Sequence, residues 1–198
     1  MARLTRPELR KRSVVERLRQ LDLPLHVVVT ATNRPPRPGE RDGVDYLFLS
    51  DDEFDRRLAE GAFLEHADVY GQKKGVPRDQ VERALAEGRD VLLRIDPQGA
   101  DTIKRLIPEA VVICLLPATV DELEHRIRAR GGDSEHDIER RLAQATREMA
   151  DLRRYDYAVV NEEGKLDQTV SRIVAILHAE KARPGRPAPR IRPARETA

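Results

Sequence analysis

Apolar residues recur along this chain in two alternating rhythms, one helical and one extended. Over residues 6–21, Leu9, Val14, Val15, Leu18 and Leu21 return at roughly helical spacing with charges on the other face, which predicts an amphipathic helix. Thr5 followed by Glu8 forms a capping box, and Pro7 falls in the first turn, where its missing N–H costs nothing. The run LHVVVTAT at 25–32 is rich in β-branched side chains and predicts a buried strand. YLFLS at 46–50 predicts a short strand, after which Ser50 caps a helix that ends on Gly61. Residues 63–77 predict a pair of short strands or a strand and turn, and 77–88 a helix stopped by Gly88. A buried strand over 89–96 ends in the carboxylate of Asp96, followed by a helix near 99–106 and a third buried strand over 110–117. Thr119 caps a helix to Arg130; after GGDS a long amphipathic helix runs from about Ser134 to Leu152. Residues 155–164 predict a fourth strand and 166–181 a closing helix.

Strands alternating with helices at this spacing imply an α/β fold of parallel βαβ units, an open sheet with helices on both faces. In such sheets ligands bind at the carboxyl ends of the strands, which puts Thr30, Asp96, Pro117 and Asn161 on one rim. At 198 residues the chain is one domain with room for a small insertion. Residues 182–198 are rich in Pro and Arg and are expected to be disordered.

Charge narrows the partners. Thirty-six basic residues against 35 acidic ones leave a net charge of +1, so no general field pulls the molecule onto nucleic acid or a membrane. Four tyrosines and no tryptophan offer little stacking surface for single-stranded nucleic acid. The single cysteine, Cys114, lies inside the apolar run VVICLL and reads as a small buried hydrophobe. No run approaches 18 apolar residues and the first twenty lack a signal-peptide core, so a cytoplasmic protein is expected.

The most distinctive polar stretch is TATNRPPRPGERDGVDY, residues 30–46. Prolines at 35, 36 and 38 fix φ and remove N–H donors, so Arg34 and Arg37 are presented from an extended loop. Two guanidiniums on a stiff turn suit a multiply charged oxyanion. The ordinary alternative, a Pro-rich surface turn with solvated arginines, is the better fit to the loop taken alone.

Further blocks decide between them. TATNRPPRPGERDGVDYLF, FLEHADVYG, DVLLRIDPQGA, LEHRIRARGGDS with ERRL, and YDYAVVNEEG, in this order, resemble guanylate kinases from about Val14 to Lys181. The signature R-x-x-R-P-G-E-x-x-G-x-x-Y is the most specific of them. The resemblance implies a P-loop-kinase-like parallel sheet with a mixed GMP-binding insertion at about 35–81 and a helical lid at about 123–142. On that plan the core is 1–34 and 82–181. It also implies transfer of the ATP γ-phosphoryl group to GMP, with Mg2+ arriving as MgATP and no metal ligands nominated on the protein. By motif position, Arg34, Arg37 and Tyr46 match the clamp on the GMP phosphate. Glu65 matches the guanine-reading carboxylate, with Thr30 and Asp96 as its polar neighbours. Arg130 and Arg141 match lid arginines that neutralise charge during transfer, and Asn161 lies near the adenine.

The chain departs from the family pattern most at its start. Where a strand and the Walker A loop G-x-x-G-x-G-K are expected, it reads MARLTRPELRKRSVVERL, with Thr5–Arg10 at the glycine positions and Lys11 at the lysine. The first strand and phosphate loop are therefore expected to be absent. An exposed sheet edge would follow, which a homodimer could cover. Lys73 and Lys74 replace a usual tyrosine pair and would bind phosphate as flexible point charges, Val76 replaces a small hydroxyl residue, and Asn33 a threonine. Arg94 stands where an acid is frequent, which bears on Mg2+ organisation. These departures motivate a second reading, a GMP-binding or protein-interaction module of the same fold with impaired catalysis.

Overall fold

A computed structural model describes residues 7–69, 72–129, 135–150 and 152–192. In chain order the elements are α1 (Pro7–Arg19), β1 (Leu25–Val27), β2 (Ala31–Thr32), β3 (Leu47–Phe48), α2 (Asp51–Ala59), β4 (Phe63–Val69), β5 (Gln72–Pro77) and α3 (Arg78–Ala86). There follow β6 (Asp90–Leu92), α4 (Pro97–Leu106), β7 (Ile113–Leu116), α5 (Val120–Arg128), α6 (Glu135–Ala150), β8 (Tyr157–Val160) and α7 (Leu166–Lys181). They form two compact units, one of residues up to Leu23 with Val111–Arg186, the other of Pro24–Ala110 with the segment from Pro187. This division cuts the chain elsewhere than a core and insertion bounded at 34 and 82.

In the second unit the predicted strand 25–32 serves two sheets. Its first half, β1, pairs in parallel with β6, Leu25 opposite Asp90 and Val27 opposite Leu92. Its second half, β2, is parallel to β3 and antiparallel to β5, and β4 completes the order β3-β2-β5-β4. The crossover residue Val29 is satisfied by a side chain. Its N–H donates to Gln80 Oε1 at 2.9 Å and its carbonyl accepts from Gln80 Nε2 at 3.2 Å, so the amide stands in for a neighbouring strand. Beneath lies a core of Val28, Leu64, Val76, Val81, Ile103 and Ile107, joined by Leu93 and Ile95. A second cluster holds Ala31, Phe54 and Phe63, the two rings stacked 4.7 Å apart.

Helix ends follow local chemistry. Ser50 accepts from the Glu53 N–H and caps α2, and Gly61 and Gly88, both at φ +69, end α2 and α3 as expected. Asp96 caps α4 by accepting from the Gly99 N–H at 2.8 Å, with Pro97 at the first helical position. The helix thus starts two residues earlier than the apolar pattern indicated, because periodicity does not register a cap and a proline.

In the first unit β7 and β8 pair in parallel, Ile113 opposite Tyr157. Helix α1 packs on α7, with Val14, Leu18, Val170 and Ile173 buried and Arg17 Nε 2.8 Å from Asp167. The β1–β6 and β7–β8 sheets each contain two strands among the described residues, and β1, β6 and β7 are half-buried rather than buried. Residues 7–11, part of the stretch aligned with a phosphate loop, form the opening of α1; the capping residue Thr5 lies outside the described residues. The tail expected to be disordered is seated at Ile191, which packs on the second unit's core, and the Arg192 N–H donates to the Leu106 carbonyl at 2.8 Å. Among the described residues no helix is long and apolar enough to cross a membrane.

Gly75, in β5 between Ala31 and His66, has no room for a side chain: a methyl group there would sit 2.7 Å from the Phe63 ring. Gly75→Ala is expected to cost about 1–3 kcal/mol, read as a lowered urea midpoint with an unchanged m-value.

Candidate functional site

Two groups of polar residues lie in the second unit. The first is built on the loop after β2, which is held by more than its prolines. Glu40 N–H donates to the Arg37 carbonyl, Gly43 N–H to the Tyr46 carbonyl and Phe48 N–H to Asp42 Oδ1, at 2.8–2.9 Å. Gly39 at φ +81 and Gly43 at φ +70 supply the left-handed turns these bonds require. At the loop's root Asn33 receives the Lys73 N–H at 2.7 Å and donates to Asp51 at 2.8 Å, closing loop, β5 and α2 together.

Within this frame Arg34 meets Glu40 end-on, Nη1 and Nη2 each 2.7 Å from a carboxylate oxygen, and each side chain is only 9% exposed. Glu40 also accepts the Arg37 backbone N–H at 2.8 Å. Burial alone would raise the Glu40 carboxyl, but the bonds from Arg34 and Arg37 outweigh it and hold the group below its ordinary value. Arg34 is correspondingly raised, chiefly by its hydrogen bond to Glu40. Its Cζ lies 4.9 Å from the Tyr46 ring centre and 5.7 Å from that of Phe48. Nη1 also donates to the Pro35 carbonyl at 2.9 Å. Nε–H and the second Nη2–H are used by neither Glu40 nor Pro35; with the Tyr46 side chain, a further hydrogen-bonding partner of the guanidinium, they form a side-on edge suited to an oxyanion. Arg94 comes to the same tyrosine, its Cζ also 4.9 Å from the ring centre and its Nη2 3.4 Å from the Asp45 carbonyl.

The second group surrounds Glu65 on β4, which is buried at 8% exposure. Burial first, and then the charge of Asp96, push its carboxyl from 4.5 up to about 7, while the Lys74 charge opposes them. Gly99, in the first turn of α4, lets the carboxyl come close: a Cβ there would lie 3.0 Å from Glu65 Cδ. Such a group accepts hydrogen bonds well from a ligand edge with paired N–H donors, because those donors favour its charged form. Thr30 is buried beside β3, its carbonyl taking the Leu47 N–H at 3.0 Å.

Seven sequence candidates therefore fall in one unit: Thr30, Arg34, Arg37, Tyr46, Glu65, Lys74 and Asp96. Several expectations shift. Asp96 is also the cap of α4, Val76 is a core residue at 1% exposure, and Lys73 is tied to Asp55 at 2.6 Å. Asn161 belongs to the other unit and is buried, its Oδ1 accepting from Thr169 Oγ1 at 3.2 Å. The Asn161 backbone carbonyl is likewise taken, by the Arg126 guanidinium. Arg130 and the side chains of Arg141 and Lys11 lie outside the described residues.

Two residues were missed. Glu40 was visible inside the signature R-x-x-R-P-G-E, but nothing local said that it would neutralise Arg34. Arg126 on α5 bonds both Glu122 and the Asn161 carbonyl, and its Nε is buried without a partner. It was one arginine among many in a charged helix, and no spacing singled it out.

A family model described as guanylate kinase matches residues 11–180. The chain is 44% identical over 171 residues to a guanylate kinase of Hydrogenovibrio crunogenus, covering 86% of this chain and 82% of that one. It is 47% identical over 173 residues to a guanylate kinase of Thermus thermophilus, covering 87% and 76%. Among solved structures, that of guanylate kinase from Anaplasma phagocytophilum superposes with a TM-score of 0.73 at 34% identity, over 88% of this chain and 83% of that chain.

Two outcomes test the geometry. Between pH 4.5 and about 7 folded Glu65 keeps a proton that the unfolded chain has released, so its contribution to stability falls as pH rises through that window. Glu65→Gln is expected to stabilise the fold by about 1–3 kcal/mol near pH 8, with the gain gone near pH 4, measured by denaturant unfolding across pH. Glu40→Ala leaves Arg34 unpaired and should cost about 2–4 kcal/mol; a double-mutant cycle with Arg34→Ala should show coupling above about 1 kcal/mol.

Proposed function

This chain belongs to the guanylate kinase family and has the family's function, passing the γ-phosphoryl group of ATP to GMP to give GDP and ADP, and we propose a role for each residue in that reaction. The observation that carries the assignment is the pairing, within one unit, of an arginine clamp stacked on Tyr46 and a buried carboxyl at Glu65.

The side-on edge of Arg34 and the guanidinium of Arg37 take the GMP phosphate, and the Tyr46 hydroxyl adds a neutral donor. Glu65 accepts from guanine N1–H and N2–H2, an edge that adenine lacks. Those donors favour the carboxylate, so GMP binding draws the Glu65 pKa down from about 7. Thr30 and Asp96 are the polar neighbours of that edge, and Lys74 offsets the negative charge gathered there. The ground state is thus fixed at both ends, and the acceptor oxygen is held still for in-line attack.

Arg130, Arg141 and Lys11 are assigned to neutralising phosphate charge during transfer, which needs electrostatic help far more than covalent help. Asn161 is assigned to the vicinity of the adenine. Mg2+ enters with ATP, held by phosphate oxygens and water. Among the described residues no group of three or more His, Cys, Asp or Glu is placed to hold a metal, and none is assigned to it.

A coupled assay with GMP and ATP on the purified chain is expected to show turnover, with AMP a poor acceptor. Glu65→Gln should raise KM for GMP by about 10- to 100-fold, the loss of a charged hydrogen-bond acceptor. A rate equal to the enzyme-free blank, or unchanged discrimination in Glu65→Gln, would overturn the assignment.

A further inference from the structure

The extended segment between β6 and α4, residues 93–96, touches both ends of the candidate site. Leu93 and Ile95 pack on the core cluster, and the alternation of an extended chain places Arg94 and Asp96 on the opposite side. Asp96 acts on Glu65 at one end, and Arg94 reaches Tyr46 at the other. Arg34 and Arg94 each stand 4.9 Å from the same ring centre, so their Cζ atoms cannot be further apart than twice that distance.

The two cations differ in one respect. Arg34 is compensated by Glu40, which takes both of its end nitrogens. Arg94 is half-buried and, among the described residues, makes no ion pair; its contacts are the tyrosine face and one long bond to a carbonyl. An Arg34–Glu40 pair is close to electrically neutral, whereas a phosphomonoester carries nearly two negative charges at neutral pH. Holding such a dianion in a partly desolvated place calls for net positive charge beyond that pair, and more than the single charge of Arg37.

We propose that Arg94 is a further substrate-binding residue, an uncompensated cation that reads the phosphate charge of GMP beside Arg34 and Tyr46. Arg34 then sets geometry, and Arg94 supplies charge that Glu40 has cancelled elsewhere in the clamp. The Tyr46 face holds the Arg94 guanidinium near the site without a counter-ion, which a carboxylate partner would defeat. Because this rests on GMP being the acceptor, the test separates phosphate from base.

The full chain is titrated calorimetrically with GMP and with guanosine, which lacks the phosphate, for the parent, Arg94→Leu and Arg94→Lys. Arg94→Leu is expected to weaken GMP by about 10- to 100-fold and to leave guanosine within about twofold. Arg94→Lys should recover most of the loss, since the charge returns although the planar fork does not. Steady-state kinetics should show the effect in KM for GMP more than in kcat. Unchanged GMP affinity in Arg94→Leu would overturn the proposal. So would parallel losses for GMP and guanosine, which would make Arg94 a support for Tyr46. Should Arg94→Leu fail to fold, Arg94→Gln, which retains a donor for the Asp45 carbonyl, reads the same ratio. A parent chain that binds neither ligand would instead overturn the acceptor assignment itself.

Discussion

Arg34 and Glu40 sit six residues apart on a loop that has no regular structure between β2 and β3, and their end-on ion pair is what turns that loop into a fixed object. Both side chains are almost fully covered, so each charge is acceptable only because the other is present. The same carboxylate takes the Arg37 N–H, which orients the second arginine's backbone as well. Prolines restrict the path and glycines permit its turns. The ion pair selects one conformation from those that remain, and it leaves the side-on edge of Arg34 in place before any phosphate arrives. Preorganisation of this kind lowers the entropy that binding must offset.

A second constraint runs through residues 93–99. Leu93 and Ile95 are held by the core, Asp96 caps α4, and Gly99 makes room for the Glu65 carboxyl against the helix's first turn. The segment places Asp96 near Glu65 and Arg94 at the ring of Tyr46. Glu65 is destabilised as a carboxylate by this arrangement, a cost the fold carries at its functional site.

Legibility in the sequence varied with the range of the interaction. Caps at Ser50 and Thr119, the glycine stops at 61 and 88, and the helices they bound were readable because their physics lies within one turn. The single strand expected over 25–32 became β1 and β2 in different sheets, since the change of partner depends on Gln80, some fifty residues away. Residues 182–198 read as a Pro- and Arg-rich tail, and the seat of Ile191 exists only because the core of the second unit offers one. Lys73 looked available for a phosphate until α2 brought Asp55 to it.

By itself the sequence determined the alternation of strands and helices, the family motifs, and the residue types available for phosphate and base. These follow from periodicity, turn chemistry and side-chain functional groups, all of which act locally. Tertiary structure alone decided which charges are compensated. Glu40 cancels Arg34 while Arg94 goes without an ion pair among the described residues, and Glu65 holds its proton to about pH 7 because burial and Asp96 meet there. Charge state and binding power depend on distance and desolvation, and neither quantity exists until the chain is folded.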